Sequence, residues 1–312
     1  MSARICLVTG VDHGMFDQLL LLGGSLRRYS PSLKLHVLDF GLTEPQRRFV
    51  AERYGLLDRP ADMAARRHPW YYKAAMGRYL ANTPCDAAVW IDADMIALSD
   101  LAPPLLQLYA EMETRNEAIA VADSGMTIAQ QLAHDPAAHY ASLVKSLDTS
   151  APYVNSGLFL CRSSEFLDRW SAQTEAMAFE MLFEQNAFNL VALAHRHQVK
   201  VIDRFRWNLV ANELDRAQLS IAGHEISATG PAGQVLILHA TSTNRARDLS
   251  HIDFPLRANG QPFSIKVRMI SWIPELLAFQ KELTLETIRQ DGELLMKCGA
   301  WPPAATAAST AS

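Results

Sequence analysis

Disulfide and zinc patterns are missing from this 312-residue chain: its four cysteines, Cys6, Cys85, Cys161 and Cys298, form no C-x-x-C pair. They read as reduced thiols of a cytoplasmic protein, with Cys6 and Cys161 in apolar runs that suit a core. Long hydrophobic runs are missing as well. A membrane-spanning helix needs about 18 apolar residues, and the leucine run Leu19–Leu22 falls far short. The opening MSARICLVTGVDHG has neither the apolar core nor the cleavage site of a secretory signal. Any membrane contact is therefore expected to be peripheral. Positive charge is not in excess: 29 Lys and Arg face 33 Asp and Glu, a net charge of −4 that leaves no electrostatic footprint for nucleic acid. Familiar catalytic signatures are also absent. Gly10 and Gly14 are spaced G-x-x-x-G rather than G-x-G-x-x-G, and the chain has no P-loop, G-x-S-x-G or H-E-x-x-H.

What is present is an ordinary globular composition, 49% hydrophobic and 20% charged, over a length that supports one elaborated α/β domain. Apolar runs predict strands at Arg4–Thr9, Leu33–Phe40, Ala87–Ile91, Ala118–Ala122, Tyr153–Cys161, Val199–Asp203 and Val235–His239. Helical spacing predicts helices over Phe16–Tyr29, Trp70–Leu80, Ser164–Met181 and Gln185–His195. Thr43 is placed to cap a further helix reaching Tyr54, with Glu44 and Pro45 suited to its first turn. Gly125–Thr149 reads as irregular, Arg268–Arg289 as mostly helical, and the low-complexity tail from Ala304 as disordered. Alternating strands and helices predict a mainly parallel sheet with helices on both faces, and such sheets bind ligands beyond the carboxyl ends of their strands.

At one such end stands VWIDADMIALSDL, Val89–Leu101. Its apolar residues build a strand, and Asp92 and Asp94 emerge where that strand leaves the core. Side chains two apart on an extended segment point the same way. Two close carboxylates repel, and burying them is costly. A hard divalent cation such as Mg²⁺ or Mn²⁺ relieves both problems and prefers carboxylate and phosphate oxygens. The alternative is a loop whose aspartates cap turns; the apolar flanks on both sides favour the cation.

Five other stretches share this sequence order: LVTG with LGGSLRR (Leu7–Arg28), YYKAAMGRYL (Tyr71–Leu80), YVNSGLFLCR (Tyr153–Arg162), FEQNAFNLVA (Phe183–Ala192) and VLILHATSTNRARD (Val235–Asp248). With the D-x-D segment they resemble glycosyltransferase family 8, which includes glycogenin and bacterial lipopolysaccharide galactosyltransferases. The resemblance runs from about Ile5 to Arg247. It implies an α/β GT-A fold, Rossmann-like, in a catalytic domain over 1–250; beyond the resemblance, a helical extension packed on that domain is expected over 251–303 and a disordered tail over 304–312.

The same resemblance implies site roles. Asp92, Asp94 and His239 would hold Mn²⁺ or Mg²⁺. Thr9 and Asp12 would meet the base and ribose of a nucleotide-sugar, Lys73 and Arg245 its phosphates, and Asn155 and Gly157 its sugar. Gln185 would lie below the anomeric carbon, with Glu184 beside it as the alternative catalytic group. Three departures stand out: Glu184 replaces the usual Asp, Ser242 the usual Gly, and Ala246-Arg247 the usual Pro-Trp, while Arg245 keeps the charge of the usual Lys. The implied reaction transfers a sugar from a UDP-sugar to a saccharide, lipid-linked or protein acceptor with retention of configuration. Rival readings are an inactive nucleotide-sugar-binding scaffold, an inverting transferase and a nucleotidyltransferase. Against the last, VTGVDHGMF carries no Lys or Arg.

Overall fold

The structure is a computed structural model. It describes residues 4–63, 65, 68–136, 138–210, 213, 217–222, 225–240, 251–258, 261–270 and 273–300. Seven strands form the main sheet: β1 (Ile5–Asp12), β2 (Leu35–Gly41), β3 (Gly55–Leu57), β4 (Ala87–Ile91), β6 (Ile119–Thr127), β7 (Pro152–Cys161) and β8 (Val199–Ile202), in the order β3-β2-β1-β4-β7-β6-β8. Between β4 and β6 the chain makes β5 (Met95–Ala97), which belongs to a second, smaller sheet. The main sheet is mainly parallel, as expected. Only β7 reverses, running antiparallel to both β4 and β6.

Side chains alternate between two apolar layers, as the period of a strand requires. Leu7, Val11, Val89, Ile91 and Leu160 face one core, with α1 (Phe16–Tyr29), α2 (Glu44–Arg53) and α5 (Ala102–Thr114) packed on it. Cys6, Val8, Ala88, Trp90 and Phe159 face the other, covered by α3 (Trp70–Ala74), α4 (Met76–Leu80), α6 (Ile128–His134), α7 (His139–Leu143), α8 (Ser164–Ala176) and α9 (Phe183–Ala194). Strands buried on both faces explain why the sequence shows apolar runs rather than alternation. Thr43 caps α2 as expected, in a reciprocal capping box with Gln46.

Three expectations are corrected. Trp70–Leu80 is two short helices rather than one, because Ala75 leaves helical geometry at φ −87°, ψ 15°. Aromatic residues and Gly77 favour helix weakly here, and packing wins: Tyr72 lies against Phe40, and Gly77 against Leu167. Residues 125–149 are not irregular throughout. β6 continues to Thr127, whose capping box with Gln130 starts α6, a T-x-x-Q signature present in the sequence. Arg268–Arg289 is mostly helical as expected, but its helix starts at Pro274 and Arg268 itself ends a strand. β14 (His251–Ala258) and β15 (Gln261–Arg268) form an antiparallel hairpin.

The last helix, α11 (Pro274–Cys298), begins where Pro274 is pre-set for the first turn and stops at Gly299, whose φ of 69° suits a left-handed C-cap. The small sheet consists of β5, β13 (Ile237–His239) and β9 (Leu209–Val210), with the one-turn helix α10 (Arg204–Trp207) directly before β9. A third sheet joins β10 (Gln218–Ala222), β11 (Glu225–Gly230) and β12 (Gly233–Gln234). No described helix is long and apolar enough to cross a membrane.

The helix α11 lies along α1 and is pinned there by one buried carboxylate. Asp291 receives Arg27 at 2.6 Å and Arg53 of α2 at 3.0 Å. Removing Asp291 leaves two largely enclosed guanidinium groups without their counter-ion. Since breaking a buried pair costs about 3–5 kcal/mol and both arginines keep some water access, Asp291→Ala is expected to lose about 2–4 kcal/mol. Urea unfolding of the two proteins measures the difference.

Candidate metal centre and active site

The chain leaves β4 through a tight turn in which the Met95 N–H donates to the Asp92 carbonyl at 3.0 Å. The turn carries both aspartates across the sheet edge and into β5. There β13 pairs antiparallel with β5, setting His239 opposite Met95, and the Ala240 N–H donates to the Asp94 carbonyl at 3.0 Å. Backbone pairing alone therefore brings a histidine to the two aspartates from almost 150 residues away in the chain. One ligand atom from each of Asp92, Asp94 and His239 lies within 4.8 Å of the others. His239 Nε2 and Asp94 Oδ1, 3.3 Å apart, are spaced for neighbouring positions around one ion.

The space between them is kept open by Gly157. A Cβ at this position would stand 2.9 Å from Asp92 Oδ2, 2.9 Å from His239 Cε1 and 2.6 Å from Asn155 Oδ1. The missing side chain is thus a cradle facing all three groups. A set of two carboxylates and one imidazole suits Mn²⁺ or Mg²⁺, so the residues present fit a divalent cation.

Asn-Ser-Gly forms a break in β7. Val121 pairs with Phe159 while the next residue, Ala122, pairs with Asn155, so residues 156–158 bulge out of the β6 ladder. Asn155 Oδ1 accepts the Gly157 N–H at 2.8 Å, and the Gly157 carbonyl accepts the Asp92 N–H at 2.9 Å. The segment is therefore both a strand bulge and a wall of the site, where bulges commonly re-aim side chains.

Beside the triad a second charged group is assembled under the sheet edge. Lys73 of α3 is buried and lies 3.1 Å from Asp92 Oδ1, 3.7 Å from Glu184 and 3.2 Å from Ser156 Oγ. Burial works against its ammonium, but the Asp92 and Glu184 carboxylates outweigh that and hold its pKa above the ordinary lysine value. Glu184 opens α9 and is also buried. Burial pushes its carboxyl up to about 7, against the pull of Lys73. Its Oε2 accepts Ser156 Oγ at 3.3 Å, while its Oε1 is buried with no hydrogen-bond partner. Gln185 accepts the Ser156 N–H through Oε1 at 3.2 Å. The later asparagine of this motif, Asn189, is structural: it exchanges hydrogen bonds with the Val154 backbone and so ties α9 to β7.

Thr9 and Asp12 both lie on β1. Asp12, at the carboxyl end of β1, accepts the N–H groups of Gly14 and Met15 at 2.9 and 3.1 Å and caps a single 3-10 turn. Thr9 lies buried within β1, and its hydroxyl has no partner. Arg245, with Ser242 and Ala246-Arg247, lies outside the described residues. Three participants were not singled out in the sequence. Ser156 links Lys73, Glu184 and Gln185, and its place inside Asn-Ser-Gly was the available signal. Trp90 donates its indole N–H to Asp92 Oδ1 at 2.7 Å; its spacing two residues before Asp92 put both on one side of the strand. Asn208 holds His239 Nδ1 at 2.7 Å, a partnership 31 residues apart that no local pattern announces.

Two outcomes are expected. Gly157→Ala places a methyl group in the cradle and is expected to abolish Mn²⁺ binding in calorimetry, with a stability loss of about 1–3 kcal/mol for the forced shift. Glu184 gives a pH dependence. Its carboxyl is raised in the folded state, so it stays protonated where the unfolded chain has already ionised. That penalises folding progressively from about pH 4.5 up to about 7 and by a constant amount above. Glu184→Gln removes the penalty, so urea midpoints of mutant and wild type should diverge in the mutant's favour across this window and coincide near pH 4.

The sequence matches no protein-family model and no curated protein. Solved structures do resemble it. A galactosyltransferase, LgtC, in complex with donor and acceptor sugar analogs aligns with a TM-score of 0.50 at 16% identity, over 75% of this chain and 86% of that one. The glycosyltransferase GlyE of Streptococcus pneumoniae TIGR4 aligns with a TM-score of 0.51 at 14% identity, over 95% of this chain and 64% of that one. At these identities the likeness is one of fold, and the fold shared is the α/β GT-A-like architecture of glycosyltransferases.

Proposed function

We propose that this chain is a metal-dependent glycosyltransferase that moves a sugar from a UDP-sugar to a saccharide, lipid-linked or protein acceptor with retention of configuration. The observation that carries this reading is the meeting of Asp92, Asp94 and His239 at the carboxyl edge of β4, on a glycosyltransferase fold. Adjacency to Lys73, Glu184 and Gln185 supports it. When bound, Mn²⁺ or Mg²⁺ supplies Lewis-acid stabilisation of the negative charge that grows on a departing diphosphate.

The chain's own groups have distinct tasks in this reading. Asp92, Asp94 and His239 hold the cation, and Gly157 keeps room for it. Lys73 adds a fixed ammonium, already paired and desolvated, which reorients little as charge develops. Arg245 would add a second cation. Thr9 and Asp12 would meet the nucleoside, and Asn155 the donor sugar. Gln185 would face the anomeric carbon. An amide is a poor nucleophile, so its part is to stabilise positive charge by its carbonyl dipole during a front-side displacement. Glu184 is enclosed and gripped by Ser156 and Lys73, an arrangement that supports holding sugar hydroxyls through its unpartnered oxygen. Its alternative role is attack on the anomeric carbon.

UDP release from a panel of UDP-sugars, with Mn²⁺ and with chelator, tests the reading. Release that needs metal, favours one sugar and falls by about 100-fold or more in Asp94→Asn supports it. Donor binding without release under every acceptor tried supports the scaffold reading instead. Absence of metal-dependent binding of every donor rejects the reading for UDP-sugars. The anomeric configuration of the product separates retention from inversion.

A further inference from the structure

We infer that Asn208 is the positioning residue of the metal centre: it selects the tautomer of His239 and tunes the site toward a hard, exchangeable cation. The inference rests on the metal reading above and deepens it.

Asn208 is fully enclosed, and its position is set without help from a ligand. Asp203 caps the one-turn helix α10 by accepting the Arg206 N–H, and the Arg206 carbonyl accepts the Leu236 N–H at 2.7 Å. Asn208 ends that turn, donating its N–H to the Arg204 carbonyl at 2.8 Å. The next two residues form β9, which pairs parallel with β13 so that Val210 lies opposite His239. Asn208 and His239 are thereby locked to adjacent strands, with Asn208 Oδ1 2.7 Å from His239 Nδ1.

An amide oxygen only accepts hydrogen bonds. At this distance Nδ1 must carry the proton, and a neutral imidazole then has its lone pair on Nε2. Nε2 faces Asp94 Oδ1 at 3.3 Å. Two lone-pair-bearing atoms facing each other in a buried place repel, and a cation between them turns that repulsion into coordination. The neutral side chain has a further consequence. Metal-bound histidines often donate their outer N–H to a carboxylate, which raises the basicity of the ligating nitrogen. An amide raises it less. His239 is thus a weaker donor than a carboxylate-backed histidine, which disfavours Zn²⁺ relative to the oxygen-loving Mn²⁺ and Mg²⁺ that the two aspartates favour.

The test uses the intact protein. Nitrogen-15 spectra of metal-free wild type, recorded about two pH units above the ordinary imidazole pKa, are assigned for His239 by comparison with His239→Gln. A protonated Nδ1 and bare Nε2 are expected; a protonated Nε2 overturns the inference. Mn²⁺ and Zn²⁺ titrations then compare wild type, Asn208→Leu and Asn208→Asp. Loss of the outer partner is expected to weaken Mn²⁺ by about 10- to 100-fold in Asn208→Leu. Asn208→Asp should restore Mn²⁺ binding and raise the preference for Zn²⁺ by at least about tenfold. Equal Mn²⁺ affinity in Asn208→Leu and wild type overturns the positioning role, and an unchanged metal preference in Asn208→Asp overturns the tuning. A wild type that binds no Mn²⁺ fails the metal reading itself and the tuning with it, while the nitrogen spectra still decide whether Asn208 sets the tautomer.

Discussion

Two carboxylates at the mouth of an apolar sheet set the terms for everything around them. Asp92 and Asp94 leave the core at the end of a fully buried strand, where unpaired charge is expensive. The structure compensates each one differently. Asp92 is held by the Trp90 indole and the Lys73 ammonium. Asp94 faces His239, which is itself held from behind by Asn208. Gly157 leaves the space they share open.

This compensation explains why so much polar chemistry sits under the sheet edge. Lys73 is buried and is stabilised as an ammonium because Asp92 and Glu184 flank it. Glu184 in turn is buried beside one cation that serves two carboxylates, and its own ionisation is pushed toward neutral pH. Ser156 of β7 joins the two helices that supply these groups, α3 and α9, since its hydroxyl lies within reach of Lys73, Glu184 and Gln185. A network of this kind is rigid where its members are satisfied. That fits a site required to hold geometry against the repulsion of its own charges.

The rest of the chain serves to make that geometry dependable. The two apolar layers clamp the main sheet from both sides. The β5–β13–β9 sheet fastens the turn after β4 to two distant segments. α11 lies behind α1 and is fixed by Asp291, so the helix that follows the first strand is supported on its outer side as well. The bulge in β7 shows the same logic on a smaller scale. Breaking the ladder to β6 costs hydrogen bonds, yet it turns Asn155 and Gly157 toward the triad.

Local sequence by itself determined much of this. Buried strands read as apolar runs because both faces are covered, and helix starts are written in Thr43 and Thr127 because capping is chemistry between residues three apart. The aspartate pair announced a cation site because two charges in an apolar strand need a reason. Resemblance in motif order then pointed to His239, Lys73, Glu184 and Gln185. What tertiary structure decided was how these groups meet. β7 runs against its neighbours, Trp70–Leu80 breaks at Ala75, and His251–Ala258 pairs antiparallel with Gln261–Arg268, since pairing and packing overrule weak local preference. Ser156 became a hub and Asn208 the support of His239 only when strands far apart in sequence were set side by side, and hydrogen bonds between such strands leave no periodic trace in the chain.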